Sequence, residues 1–189
     1  MNESKLRDLV ERLGALLRAE QRTAGLQRQL QPVHQDILHY LARCNRYSNT
    51  PAAVTDYLQI TKGTASQTIQ VLERRGLVLK QTDKDDGRVV RLRLSASGRR
   101  LEAELRQSAS WEQVVRSINT KDLAATEELL ASVLRKLQQR NDYLSFGQCN
   151  TCRYFRQESD TDFRCGLTGE TLHKNEIHQI CREHAATVA

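Results

Sequence analysis

NTPAAVTDYLQITKGTASQTIQVLERRG, residues 49–76, runs directly into LVLKQTDKDDGRVVRLRL, residues 77–94, and this stretch decides how the chain is read. Asn49-Thr50-Pro51 is a helix start: a capping side chain precedes a proline at the first helical position, where a missing N–H costs nothing. The short helix it opens carries Ala53, Val54, Tyr57 and Leu58, yields at Gln59-Ile60, and a second start follows at Thr61. From Thr61 to Arg75 the residues Ala65, Ile69 and Leu72 fall on one helical face, and Gly76 is the stop. Two helices joined by a three- or four-residue turn make a helix-turn-helix.

After Gly76 the period changes from helical to alternating. Leu77 and Leu79 are expected on one side with Val78 and Lys80 on the other, and beyond the tip Asp83-Lys84-Asp85-Asp86-Gly87-Arg88, Val90, Leu92 and Leu94 alternate with Val89, Arg91 and Arg93. This is a β-hairpin with a charged tip, and a helix-turn-helix followed at once by such a hairpin is a winged helix.

Working outward, Leu6, Leu9, Val10, Leu13, Leu16 and Leu17 form one apolar stripe of an amphipathic helix from about Ser4 towards Leu30. Pro32 interrupts it, and a second helix lines Ile37, Leu41 and Cys44 along one side. Two more long helices are expected from Ser95 to roughly Ser117 and from Asn119 to roughly Tyr143, the latter capped by Asn119 or Thr120 and carrying Leu130, Val133, Leu134 and Leu137. The first and last helices have more apolar surface than a small winged-helix core covers, and pairing between two subunits would bury it. The expected organisation is an N-terminal dimerisation helix over 1–30, a winged helix-turn-helix over 31–98, C-terminal dimerisation helices over 99–143 and a cysteine-rich extension over 144–189. The fold class is mainly α with a small β-wing, flanked by long dimerisation helices and followed by a small four-cysteine metal-binding module.

The chain has 189 residues, a formal charge of +6 and 28% charged residues. Residues 1–143 hold 24 Lys/Arg against 17 Asp/Glu, whereas residues 144–189 hold 5 against 6, so the basic excess belongs to the body. A basic body suits a polyanionic partner. No apolar run approaches the eighteen or so residues that span a bilayer, and the N-terminus lacks the apolar core of a signal peptide, so a cytoplasmic protein without a membrane partner is expected.

On the second helix of the motif the face opposite Ala65, Ile69 and Leu72 presents Lys62, Thr64, Ser66, Gln67, Gln70 and Arg74, and Thr61 stands at its start. Gln and Arg make paired hydrogen bonds to base edges in a major groove, Ser and Thr reach bases or phosphates, and a helix N-terminus favours a phosphate. At the hairpin tip Asp86 is placed to orient the Arg88 guanidinium towards a narrow, electronegative minor groove. Double-stranded DNA is the expected partner.

The chain here resembles the MarR family of bacterial winged-helix regulators. The likeness rests on Ile60-Thr61-Lys62-Gly63-Thr64-Ala65-Ser66-Gln67, on Leu72-Glu73-Arg74-Arg75-Gly76-Leu77-Val78, on the Asp83 to Arg88 wing, and on Leu92-Arg93-Leu94-Ser95-Ala96-Ser97-Gly98. It covers about Leu6 to Arg140. The resemblance implies a homodimer built from the terminal helices, recognition helices in successive major grooves, wings in the flanking minor grooves, and usually repression relieved by a signal. Under it Arg88 matches the family's wing arginine and Asp86 the acidic residue that holds it. A symmetric dimer independently needs half-sites about one helical turn apart, hence a pseudopalindromic operator. Many members bind small aromatic acids between the DNA-binding and dimer regions, but the sequence singles out no residues for such an effector.

The extension departs from that plan. Cys149, Cys152, Cys165 and Cys181 are spaced C-x2-C-x12-C-x15-C, four soft ligands of the kind that a tetrahedral zinc or an iron–sulfur cluster requires. The odd total of five cysteines argues against a fully paired disulfide framework. An iron–sulfur cluster, 2Fe-2S or 4Fe-4S, is the favoured cofactor because Cys165 and Cys181 are isolated rather than paired; zinc is the alternative, and a reversible disulfide a third. Cys44, in phase with Ile37 and Leu41, reads as a buried thiol and not a ligand, and His173, His178 and His184 are not needed as ligands. The expected function is a redox- or metal-sensing transcription regulator and not an enzyme, since no nucleotide loop or acid–base constellation is present. The extension follows the last dimerisation helix after Asp142-Tyr143, so changes in it are expected to act on the spacing of the two recognition helices.

Overall fold

The computed structural model describes residues 3–106, 109–140 and 143–186. The order is α1 (Glu3–Leu26), α2 (Pro32–Arg43), α3 (Pro51–Leu58), α4 (Lys62–Arg74), β1 (Val78–Thr82), β2 (Val90–Leu94), α5 (Ala96–Arg106), α6 (Ala109–Ser117), α7 (Thr120–Arg140), a 3-10 turn over Cys149–Thr151, then β3 (Phe155–Gln157), β4 (Phe163–Cys165) and β5 (Thr171–Leu172). The helix expected from Ser95 to Ser117 is described as α5 and α6 on either side of residues 107–108, which lie outside the described residues, as does Asp142. The first helix ends at Leu26, short of Leu30: Gln29 is left-handed at φ 53°, and the Leu30 N–H turns back to the Gly25 carbonyl at 3.0 Å.

Local capping chemistry sets the helix-turn-helix. The Thr50 hydroxyl accepts from the Ala53 N–H at 3.2 Å, Pro51 opens α3, and the Thr61 hydroxyl accepts from the Thr64 N–H at 3.1 Å to open α4. Gln59 closes α3 in the left-handed region at φ 53°, and Gly76 follows α4 at φ 67°, where a residue without Cβ is at ease. Gly76 also turns the chain so that Leu77 bonds back to the Leu72 carbonyl and enters the core. The alternation therefore begins one residue later than the sequence suggests: Leu77 and Val78 are both buried, and Leu79 faces outward. β1 and β2 pair antiparallel from Val78↔Leu94 to Thr82↔Val90, leaving residues 83–89 as the wing tip.

The core joins Ile37, Leu38, Tyr40 and Leu41 of α2 to Val54 of α3, to Ala65, Ile69 and Leu72 of α4, and to Leu92 of β2. Two residues of the extension enter the same core: Phe146 and Ile180. The rest of the extension is a three-stranded sheet, order β3-β4-β5, over a small cluster of Cys149, Phe163 and Leu172. Along α1 the residues Leu6, Leu9, Val10, Leu13, Leu16 and Leu17 are exposed, as are Leu130, Leu134 and Leu137 on α7. No described helix is long and apolar enough to cross a membrane.

Candidate nucleic-acid interface and cysteine cluster

On α4 the face that packs inward is Ala65, Thr68, Ile69 and Leu72, and Lys62, Thr64, Ser66, Gln67, Gln70 and Arg74 are all exposed on the other. Thr61 is exposed but occupied as the cap, and its hydroxyl also meets that of Thr64 at 2.9 Å. At the wing tip, Asp86 accepts from Arg88 three times, at the backbone N–H and Nε (3.0 Å each to Oδ1) and at Nη2 (3.1 Å to Oδ2). The Arg88 side chain is 91% exposed, so this fork fixes the base of the guanidinium while leaving it open to a ligand. The Arg88 hydrogen bonds, the side chain's first, hold the Asp86 carboxyl below the ordinary carboxylate range.

Sequence reasoning missed a second layer behind the tip. Arg91 Nε donates to Asp83 Oδ2 at 2.6 Å, and Asp83 Oδ1 accepts from the N–H groups of Asp85 and Asp86 at 2.9 and 3.2 Å. The Arg91 bond, with the two backbone N–H groups after it, brings Asp83 down to about 2. Only an alternation signal was available for Arg91, and it grouped the residue with Val89 and Arg93 without pointing to Asp83.

The four cysteines of the extension line one small cavity of about 90 Å³, together with Tyr47, Phe155, Leu167 and Leu172. All four are free thiols. The Cys149 thiol donates to Cys181, which pushes Cys149 up and draws Cys181 down towards the thiolate; Asn45, the Glu183 N–H and Ser48 add to the second shift. Asn45 Nδ2 donates to Cys149 Sγ and the Ala185 N–H to Cys152 Sγ, both at 3.5 Å, so N–H dipoles already point at sulfur. Among the described residues no three Cys, His, Asp or Glu side chains close on a common centre as a ready metal sphere. The donor set fits a thiophilic group in kind, with four thiols facing one apolar hollow. Cys44 is 8% exposed and burial pushes its thiol up to about 12, as suits an inert core cysteine. His184 is held by Ser145 Oγ at Nδ1 (2.7 Å) and Thr151 Oγ1 at Nε2 (3.0 Å), so both ring nitrogens are engaged by hydroxyls.

The extension does not stand off at the end of α7. It lies against the α2–α3 connection: Asn45 N donates to the Ile180 carbonyl and Ile180 N to the Arg43 carbonyl, each at 2.9 Å. Arg46 reaches Glu176, Glu170 and the Thr171 carbonyl, and Arg182 pairs with Asp56 of α3. At α7, Gln138 Nε2 donates to the Ser145 carbonyl at 3.1 Å, and Tyr143 N to the Gln138 carbonyl at 2.9 Å. A separate groove between α1, α2 and α5, about 1020 Å³, is lined by residues including Leu16, Leu17, Gln35, His39 and Leu105.

Residues 28–89 match the model of the MarR family. Among solved structures, a MarR transcriptional regulator from Methanosarcina mazei Go1 superposes with a TM-score of 0.59 at 22% identity, over 72% of this chain and 99% of that chain. CouR from Rhodococcus jostii RHA1, solved bound to p-coumaroyl-CoA, gives 0.56 at 19% identity, over 66% of this chain and 88% of that chain. Wild-type apo MarR from E. coli gives 0.53 at 18% identity, over 68% of this chain and 96% of that chain. At these identities the likeness shows a shared fold, and roughly three-tenths of this chain is not covered by it. The family matched over residues 28–89 is one of transcription regulators, not of enzymes. No curated protein matches the chain in sequence.

Proposed function

We propose that this chain is a dimeric, sequence-specific DNA-binding repressor of the MarR type whose four-cysteine extension holds a metal cofactor and adjusts DNA affinity. The observation that carries the DNA reading is a helix, α4, with one face locked into the core and an opposite face of Gln, Ser, Thr, Lys and Arg left exposed, beside a wing arginine gripped at its base. In that reading Gln67 and Gln70 address base edges, Lys62 and Arg74 phosphates, and Arg88 a minor groove. The exposed apolar stripes of α1 and α7 supply the dimer, whose symmetry makes the operator a pseudopalindrome. The groove between α1, α2 and α5 is the place for a small-molecule effector.

For the cysteines the favoured reading remains an iron–sulfur cluster held by Cys149, Cys152, Cys165 and Cys181. Support comes from the cavity they share, which at about 90 Å³ is several times the roughly 10–15 Å³ that one water needs on a comparable measure, and so has room for more than a single ion. Such a cluster supplies reversible electron transfer and sensitivity to iron and oxidants. Zinc is the second reading, favoured by the direct Cys149 to Cys181 contact, which already sets two sulfurs close together. Anaerobic purification with metal and sulfide analysis separates them. Iron and sulfide in proportion with broad visible absorption is expected; a colourless protein with one zinc per chain overturns the cluster, and no metal at all overturns the centre.

A further inference from the structure

The stretch of winged helix that carries the extension is also the stretch that carries the wing. Asn45 is 2% exposed, and the two ends of its side-chain amide face opposite ways. Nδ2 donates to Cys149 Sγ at 3.5 Å, whereas Oδ1 accepts from Tyr47 N (3.1 Å), Ser48 N (3.0 Å) and Ser48 Oγ (2.7 Å). Ser48 Oγ in turn accepts from the N–H of Arg182, next to Cys181. A buried amide that lets go of either side leaves a polar group without a partner, so the sulfur and the 45–48 turn move together.

The other side of that turn is held by the wing. Arg91 Nη1 donates to the carbonyls of Arg46 (2.9 Å) and Tyr47 (3.2 Å), while its Nε holds Asp83. The guanidinium is planar, so these bonds are fixed relative to one another. Asp83 shapes the tip through the Asp85 and Asp86 amides, and Asp86 grips Arg88. Every step from Cys149 to Arg88 is therefore a hydrogen bond or an adjacent peptide unit.

Resting on the reading of Arg88 as a DNA contact and of the cysteines as a responsive centre, we infer that Asn45 and Arg91 are positioning residues that couple the state of Cys149 to the placement of the wing arginine within one subunit. The extension then acts on DNA binding through the wing and not by changing the distance between two recognition helices.

A double-mutant cycle on the full chain tests this coupling: wild type, Cys149→Ser, Arg91→Met and the double variant, read by amide hydrogen exchange of residues 82–90 and by affinity for a selected duplex. Cys149→Ser should speed exchange at the wing at least about fivefold and weaken DNA binding by a similar factor. Within Arg91→Met it should change neither further. Unchanged wing exchange in Cys149→Ser, or the same change with and without Arg91, overturns the coupling. If Cys149→Ser does not fold, Arg91→Met alone decides, because coupling is reciprocal. It must then speed exchange at the amides of Asn150, Thr151 and Cys152, and unchanged exchange there overturns the inference. Faster wing exchange in Cys149→Ser, together with a wild-type chain that binds no DNA, refutes the DNA reading and leaves the coupling standing.

Discussion

Phe146→Ala tests whether the extension is docked on the winged-helix core. The Phe146 ring is 9% exposed and meets Tyr57 and Tyr40 edge-on, with centroids 5.2 and 6.3 Å away. Its backbone is left-handed, at φ 45°, a conformation that costs a bulky residue about 1–2 kcal/mol and persists only because the packing holds it. Alanine keeps the strained backbone and loses the ring, and removing a buried phenylalanine costs about 3–5 kcal/mol. Taking the lower end for a ring at the rim of the core, about 3 kcal/mol weakens docking by roughly a hundredfold. The amides to follow by hydrogen exchange are those that tie the two parts together: Asn45 to the Ile180 carbonyl, Ile180 to the Arg43 carbonyl and Arg182 to Ser48 Oγ. These should exchange about a hundred times faster while the amides of α4 keep most of their protection. Unchanged exchange at Asn45 and Ile180 would refute docking through Phe146. Equal loss across α4 would show that body and extension unfold as one unit.

Arg88→Ala should weaken specific DNA binding by about 1–3 kcal/mol and leave thermal unfolding unchanged, because the side chain is exposed; full affinity in a fluorescence anisotropy titration refutes the contact. Asp83 has a depressed pKa, so its contribution to wing stability is in place above the ordinary value of 3.8 and is lost as pH falls through about 2. Its carboxyl carbon, followed by NMR, should titrate near the lower value, and titration near 3.8 would show that Arg91 does not hold it. A Cβ on Gly98 would fall on the Leu77 carbonyl, a backbone group that cannot swing aside. Gly98→Ala should therefore destabilise by about 1–3 kcal/mol despite its better helix propensity, lowering Tm in calorimetry; an unchanged or higher Tm contradicts that packing. Cys44 should react with iodoacetamide more slowly than Cys152, Cys165 and Cys181 in the folded, metal-free chain, as peptide-resolved mass spectrometry will show, and rapid labelling would refute its burial.

The winged helix was legible because its signals are local. Thr50-Pro51, Thr61, Gly76 and the alternation of β2 each act within a few residues, and the structure uses them as caps, stop and strand. Leu77 departs from its expected side because a left-handed glycine carries it into the core before pairing starts, which periodicity cannot register. The expected link between the extension and the spacing of recognition helices followed from chain order alone. Contact order is different: Phe146 and Ile180 pack more than a hundred residues away from their neighbours in α2, and no pattern in the sequence reports such a pairing. Asn45 and Ser48 were missed for a related reason, since a buried polar residue leaves no hydrophobic period. The one available hint was the density of hydrogen-bonding side chains in Asn45-Arg46-Tyr47-Ser48-Asn49, more than a plain connection between two helices needs.

Selection of duplexes by the purified full chain from a randomised pool tests the central claim most directly. Enrichment of a pseudopalindrome with half-sites about 10 base pairs apart is expected, with affinity that falls when Arg88 or Gln67 is replaced by alanine. Binding that enriches no sequence, or an enriched site indifferent to both substitutions, would contradict α4 and the wing as the reading surface.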